Sequence, residues 1–227
     1  MPLRNANQKL AARFHEAQAF LSAIKATEPP AGTPTPAEIN TRKGLAIVLI
    51  YGAFEYSITR IMTDTSALIT ARSVRHDHLH EELYPFALDP QLTAVRMSGA
   101  ARKWNSRNEL FAKQSSTDHV LLNDGCFLEE LRNAWASTVA QAFRLFGVPG
   151  APLYDVKVRQ YIDVIVEGRN AVAHGRESAT QVGQRYTSAE LQKFLDELLK
   201  QAQYMSIQFS TYIQDKAFIK TAHRASY

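Results

Sequence analysis

Between positions 169 and 175 the chain reads Arg-Asn-Ala-Val-Ala-His-Gly, which brings a fixed cation, an amide and a titratable imidazole together in one short stretch. These are parts from which RNA can be cut without a metal. That reaction needs a base for the 2′-hydroxyl, a cation for the crowded anionic phosphorane and an acid for the departing 5′-oxygen. A histidine such as His174 takes or gives a proton near neutrality. A guanidinium such as Arg169 stays charged and holds phosphate oxygens as a planar fork. Asn170 can donate to phosphate or fix the imidazole tautomer. Acid, base and electrophile are all side chains, so the chemistry calls for no metal and no cofactor.

Helical geometry sets a condition on that arrangement. On an ideal helix Asn170 and His174 lie about 40° apart, whereas Arg169 and His174 lie about 140° apart. One regular helix therefore does not converge the pair. Fraying at Gly175, the reach of the arginine, or a histidine supplied by a second chain would each resolve this. A two-fold dimer pairing the motif helices would place two arginines and two histidines in one cleft. One imidazole could then act as base while the other acts as acid.

Spacing alone is not distinctive, because Arg72/His78 and Arg75/His80 show the same loose pattern. Residues 169–175 differ in the adjoining Asn170, the small apolar pair Val172-Ala173, the Gly175 stop and the place just before the final helix. With those features the segment resembles the signature of the HEPN superfamily, in its prokaryotic RiboL-PSP-HEPN and MAE-type branch. The stretch Ile47 to Ile61, with Phe54-Glu55 in an apolar run, looks like that family's second helix. The resemblance spans the scaffold from about Thr41 to Ile213. It implies an all-α, up-and-down helical bundle and a metal-independent endoribonuclease cutting through 2′-hydroxyl attack. It also implies a toxin or defence effector, a homodimer with a composite active site, and a possible antitoxin or regulatory protein as partner. The alternative within the family is a non-catalytic module that binds RNA, a nucleotide or a partner protein. Without the resemblance, the same residues also fit an ordinary helix end with a capping glycine.

Other residues invite chemistry as well. Glu55, an acid within an apolar run, is costly to bury unless paired, and Arg169 is the natural partner for an orienting carboxylate beneath the site. His76, His78 and His80 form a rival cluster, with His76 and His80 on one face if the segment is helical. It has no thiolate and a loop-like setting, which favours an exposed polar patch over a metal site. Arg102, Lys103 and Arg107, with Arg96, surround Trp104. Such a group, with Arg176, could track a phosphate backbone and stack a base; the bland alternative is a solvated face with Trp104 turned into the core. Lys216, Lys220, His223 and Arg224 add a basic tail. No glycine-rich phosphate loop, nucleophile elbow or paired catalytic carboxylates occur.

Composition bounds the rest. The chain has 227 residues, of which 45% are hydrophobic and 21% charged, enough for one sizeable core. A net charge of +4 permits contact with nucleic acid without demanding it. The single cysteine, Cys126, excludes an intrachain disulfide or a thiolate metal site and reads as a buried thiol beside Phe127 and Leu128. The most hydrophobic stretch, 44–54, is too short to cross a bilayer and the N-terminus lacks a secretory core, so no membrane contact and a cytoplasmic location are expected.

The spacing predicts helices throughout one domain over 1–227. An N-terminal helix occupies 1–28, with Leu10, Phe14, Ala17, Leu21 and Ile24 as its stripe, followed by a proline-rich linker at 29–36. The second helix begins near Pro36 and runs to about Arg72. Residues 73–123, with Pro85, Gly99 and an Asp89-Pro90 helix start, read as an insertion. Phe127, Leu131, Trp135, Val139, Ala142 and Phe146 form the next stripe, ending at Gly147. The motif helix spans about 153–174. The last starts at Thr187 or Ser188, where a hydroxyl cap precedes Glu190 and a long apolar run. No sustained alternation suggests a sheet.

Overall fold

The computed structural model describes residues 2–30, 32–123, 125 and 133–227. Cys126, Phe127, Leu128 and Leu131 lie outside the described residues. Nine α-helices occur among the described residues, and no strand beyond two isolated bridges, Arg75 with His119 and Leu79 with Ile219. The chain is all-α, as its periodicity predicts.

Helix α1 (Arg4–Thr27) buries Leu10, Phe14, Ala17, Leu21 and Ile24 on one face, the stripe legible in the sequence. After the proline break, Pro36 precedes α2 (Ala37–Ala71) and Arg72 closes it. This is the one described helix long and apolar enough to cross a bilayer. Its hydrophobicity is accounted for by the core, because Ile47, Ile50, Phe54, Ile58 and Ile61 are all fully enclosed. Helix α2 packs against α1, α7 and α9, so it is the post around which the bundle is built.

Residues 73–123 form two 3₁₀ turns, His76–His78 and Glu81–Leu83, then α3 (Tyr84–Ala87), α4 (Asp89–Met97) and α5 (Lys103–Gln114). Val74, Leu79, Leu83, Phe86 and Val120 pin the two ends of this segment to the core, whereas α4 and α5 contain no buried residue. Helix α6 (Ala136–Phe146) starts behind Trp135, whose extended backbone separates it from what precedes, and ends at Gly147 in the left-handed region with φ 65°.

Helix α7 (Val158–Ala173) carries the motif. It starts five residues later than its apolar pattern suggests. The cause is local: Asp155 Oδ1 accepts a hydrogen bond from the Lys157 amide at 2.8 Å, a turn that competes with helix. Gln201 on the final helix also holds the loop, donating to Pro152 O at 2.9 Å and accepting from the Tyr154 amide at 3.1 Å.

A short helix, α8 (Ala179–Gly183), then crosses α2. Ser178 and Gln181 start it with a capping box that the sequence contains but that its five-residue length hid. The final helix, α9 (Ser188–Gln214), opens with the capping box expected from Thr187 and Glu190. Glycines let α8 lie directly on α2: a Cβ on Gly44 would stand 2.0 Å from Ala179 O, and one on Gly183 would stand 1.9 Å from Asn40 O. Thr41 and Thr180 hydroxyls meet beside them at 2.7 Å. Backbone cannot yield as a side-chain tip can. We expect Gly44→Ala to cost about 1–3 kcal/mol or more, read as a lowered urea midpoint. An unchanged midpoint would mean that α8 is not held against α2.

Candidate active site

The motif side chains differ in burial: Arg169 is partly buried, Asn170 buried and His174 exposed. Arg169 turns inward toward α2, where its guanidinium carbon stands 3.7 Å from the centroid of the Tyr51 ring. Its Nη2 lies 3.5 Å from Glu55 Oε1, so the partly buried acid has a cation beside it. Tyr51 and Glu55 are one helical turn apart on α2, and the Tyr51 hydroxyl donates to Glu55 Oε1 at 2.5 Å. The same hydroxyl accepts from the buried Ala134 amide at 3.2 Å. Ring and carboxylate thus flank one guanidinium, and the Ala134 amide anchors the ring's hydroxyl; the Arg169 side chain is 15% exposed.

Asn170 follows into the interior. It is almost fully buried, and its Oδ1 has no hydrogen-bond partner among the described residues. An amide oxygen in that position is unfavourable unless a donor reaches it. Its backbone carbonyl accepts from the His174 amide at 3.1 Å.

His174 stands at the end of the helix. It takes the C-cap position with φ −94° and ψ 6°, and Gly175 follows in the left-handed region with φ 66°. Glycine adopts that backbone at little cost, which lets the chain leave the helix at once. The Glu177 amide then donates to Ala171 O at 3.2 Å and closes the turn. The imidazole is exposed, and among the described residues no hydrogen bond joins it to Arg169 or to the Asn170 side chain. Arg176 is exposed beyond it and pairs with Glu167 at 3.0 Å.

Tyr51 is the residue of this site that sequence reasoning missed. Burial first, and its hydrogen bond to Glu55 second, push the phenol up to about 12. A raised phenol favours the protonated, folded state, so its stabilisation is complete below about pH 10 and is lost as pH rises through about 12. Tyr51→Phe also leaves the Ala134 amide without its acceptor. We expect it to cost about 1–3 kcal/mol near neutral pH, with the difference from the parent shrinking above about pH 10. Urea midpoints of the two proteins across that range check this. A difference that stays constant with pH would place the phenol outside the titrating network.

The remaining candidates are placed differently. His76 is buried in the first 3₁₀ turn, and burial lowers its pKa. His78 stacks on His223 with centroids 3.8 Å apart and receives or donates a hydrogen bond at Nδ1 to the Tyr227 hydroxyl at 3.0 Å. His80 Nδ1 lies 2.5 Å from Glu82 Oε2. The segment is not one helix, so His76 and His80 do not share a helical face. Among the described residues no group of three or more His, Cys, Asp or Glu side chains gathers to hold a metal. The tail cation Lys220 is engaged internally, with Asp77 O at 3.0 Å and Glu81 Oε1 at 3.5 Å.

Trp104 is 70% exposed on α5, which corrects the reading that turns it into the core. Arg107 lies over its ring at 5.0 Å, and Arg102 and Lys103 are exposed beside it. Helices α4 and α5 pack chiefly on each other, so no core surface lies beneath Trp104 to receive it.

No curated protein and no solved structure gives a significant match to this chain. The family model described as RiboL-PSP-HEPN matches residues 8–211, a span that runs from α1 into α9 and includes Tyr51, Glu55 and the whole 169–175 motif. With that match over most of its length, on an all-α bundle of the expected kind, the chain belongs to the RiboL-PSP-HEPN family.

Proposed function

We propose that the protein is a metal-independent endoribonuclease acting as a toxin or defence effector. The observation that carries this reading is the single guanidinium of Arg169, held between the Tyr51 face and Glu55 on the same helix that ends in an exposed His174. A clamped, planar cation is preorganised for phosphate oxygens, and preorganisation is what makes such a donor effective in a transition state.

The site is completed by a second copy of the chain. The reaction uses a base and an acid, and the motif of one chain holds a single imidazole. Two motif helices facing across a two-fold axis would bring two imidazoles and two guanidiniums into one cleft. One imidazole removes the 2′-hydroxyl proton, and that oxygen attacks the adjacent phosphorus while Arg169 neutralises the phosphorane. The P–O5′ bond then breaks and the 5′-oxygen takes a proton from the other imidazole. The products are a 2′,3′-cyclic phosphate and a 5′-hydroxyl.

One observation favours a non-catalytic RNA- or partner-binding module instead: Arg169 is only 15% exposed and already engaged by Glu55, as a purely structural ion pair would be. Incubating the purified protein with total RNA in EDTA, beside His174→Ala, separates the two. Cleavage by the parent alone supports the nuclease. Identical patterns from both proteins, or none from either, would leave the binding module as the account.

A further inference from the structure

Five of the eight large apolar side chains exposed among the described residues, Leu92, Met97, Trp104, Phe111 and Leu121, lie between positions 92 and 121. Helices α4 and α5 occupy most of that stretch and bury nothing, so they form an arm that the core does not require. The arm is strongly basic. From Asp89 to Lys113 it holds five cations against two carboxylates, most of the chain's net positive charge.

Lys113 is neutralised by Asp118 at 2.8 Å. Arg96, Arg102, Lys103 and Arg107 have no carboxylate partner among the described residues. Two of them sit at the start of α5, which has no acidic residue in its first turn and no side-chain cap. Positive side chains there add to the positive end of the helix instead of opposing it, an arrangement relieved by an anion. Trp104, Arg107 and Phe111 fall at spacings of three and four, which puts two exposed aromatics about 10 Å apart on one helix face with a guanidinium between them.

We propose that the α4–α5 arm is a docking surface for single-stranded RNA, with a base stacked on Trp104 and the backbone followed by Arg102, Lys103 and Arg107. Unpaired cations beside an open aromatic face match a phosphate backbone with splayed bases, which stack on aromatic rings irrespective of sequence. A second copy of the chain docking here about a two-fold axis would set the same cations against themselves, so self-association through this face is disfavoured. The inference rests on RNA being the ligand, as proposed above, but not on its cleavage.

The test uses the full chain with His174→Ala, so that the probe survives. A fluorescein-labelled oligouridylate of roughly twelve nucleotides is titrated in EDTA. Trp104→Ala should weaken binding about 5- to 100-fold, and Trp104→Phe by much less. Replacing Arg102, Lys103 and Arg107 together by glutamine should lower the slope of log affinity against log salt by about 2. In a Trp135→Phe background, RNA should quench the remaining tryptophan. Because the arm buries no residue, these variants should fold, which circular dichroism checks.

Unchanged affinity in Trp104→Ala and in the triple variant would overturn the inference. Tight binding of polyglutamate with none of the oligouridylate would also overturn it, in favour of an acidic protein partner. The outcomes stay separate from the catalytic reading: a parent that cuts RNA while Trp104→Ala binds it normally sinks only the arm. Trp104-dependent binding by a parent that never cuts sinks only the nuclease.

Discussion

His174→Ala should lower RNA cleavage by about 10²- to 10⁴-fold while leaving RNA affinity within a few-fold of the parent. No other motif group moves a proton near neutral pH, and the imidazole is exposed and carries no packing load. Arg169→Ala should instead weaken both binding and turnover, the latter by about 10²- to 10³-fold. Arg169→Lys should recover little of it. An ammonium offers a point charge where the Tyr51 face and Glu55 position a planar fork. Asn170→Ala should fall between, as a rate loss from lost orientation. The double variant Arg169→Ala/His174→Ala should be little worse than His174→Ala alone, because the groups act as one unit. Single-turnover rates and affinities on one RNA give all of these values. A His174→Ala protein as active as the parent ends the nuclease reading.

The second large effect concerns the division of the site between chains. His174→Ala co-expressed in equal amount with the parent and purified together should leave about one quarter of the parent activity, because half of the randomly paired dimers are mixed and their shared cleft holds one imidazole where the reaction uses two. A site built within a single chain would keep about one half, since every parent chain then acts on its own. Activity near one half would refute the composite site. Elution at the 25.4 kDa mass of one chain, with full activity on dilution, would refute it independently.

The helices were readable because their signals are local and redundant. The stripe from Leu10 to Ile24 and the Thr187–Glu190 capping box each specify an element through contacts within a few residues. Competing local bonds obscure the rest. Asp155 turned the first five residues expected of α7 into a loop, and the Ser178–Gln181 cap started a helix too short to show a stripe.

The site divides along the same line. Arg169, Asn170 and His174 were legible because their types are unusual together, and Glu55 because an acid in an apolar run demands a partner. Tyr51 was not, since an aromatic in such a run looks like ordinary core. Only the fold shows its ring under the guanidinium and its hydroxyl between Glu55 and Ala134. Whether Trp104 faces in or out was likewise undecidable from spacing. That depends on whether a core lies beneath α5, which is a property of the whole bundle.

Attack by the 2′-hydroxyl, driven by side chains alone, is probed with two RNA oligonucleotides in EDTA, identical except for a single 2′-deoxyribose at the position cut in the first. The parent should cut the all-ribose strand to a 2′,3′-cyclic phosphate and a 5′-hydroxyl and leave the substituted position intact. Cutting at the 2′-deoxy position, ends bearing a 3′-hydroxyl and 5′-phosphate, or activity that appears only when a divalent ion is restored would rule that chemistry out.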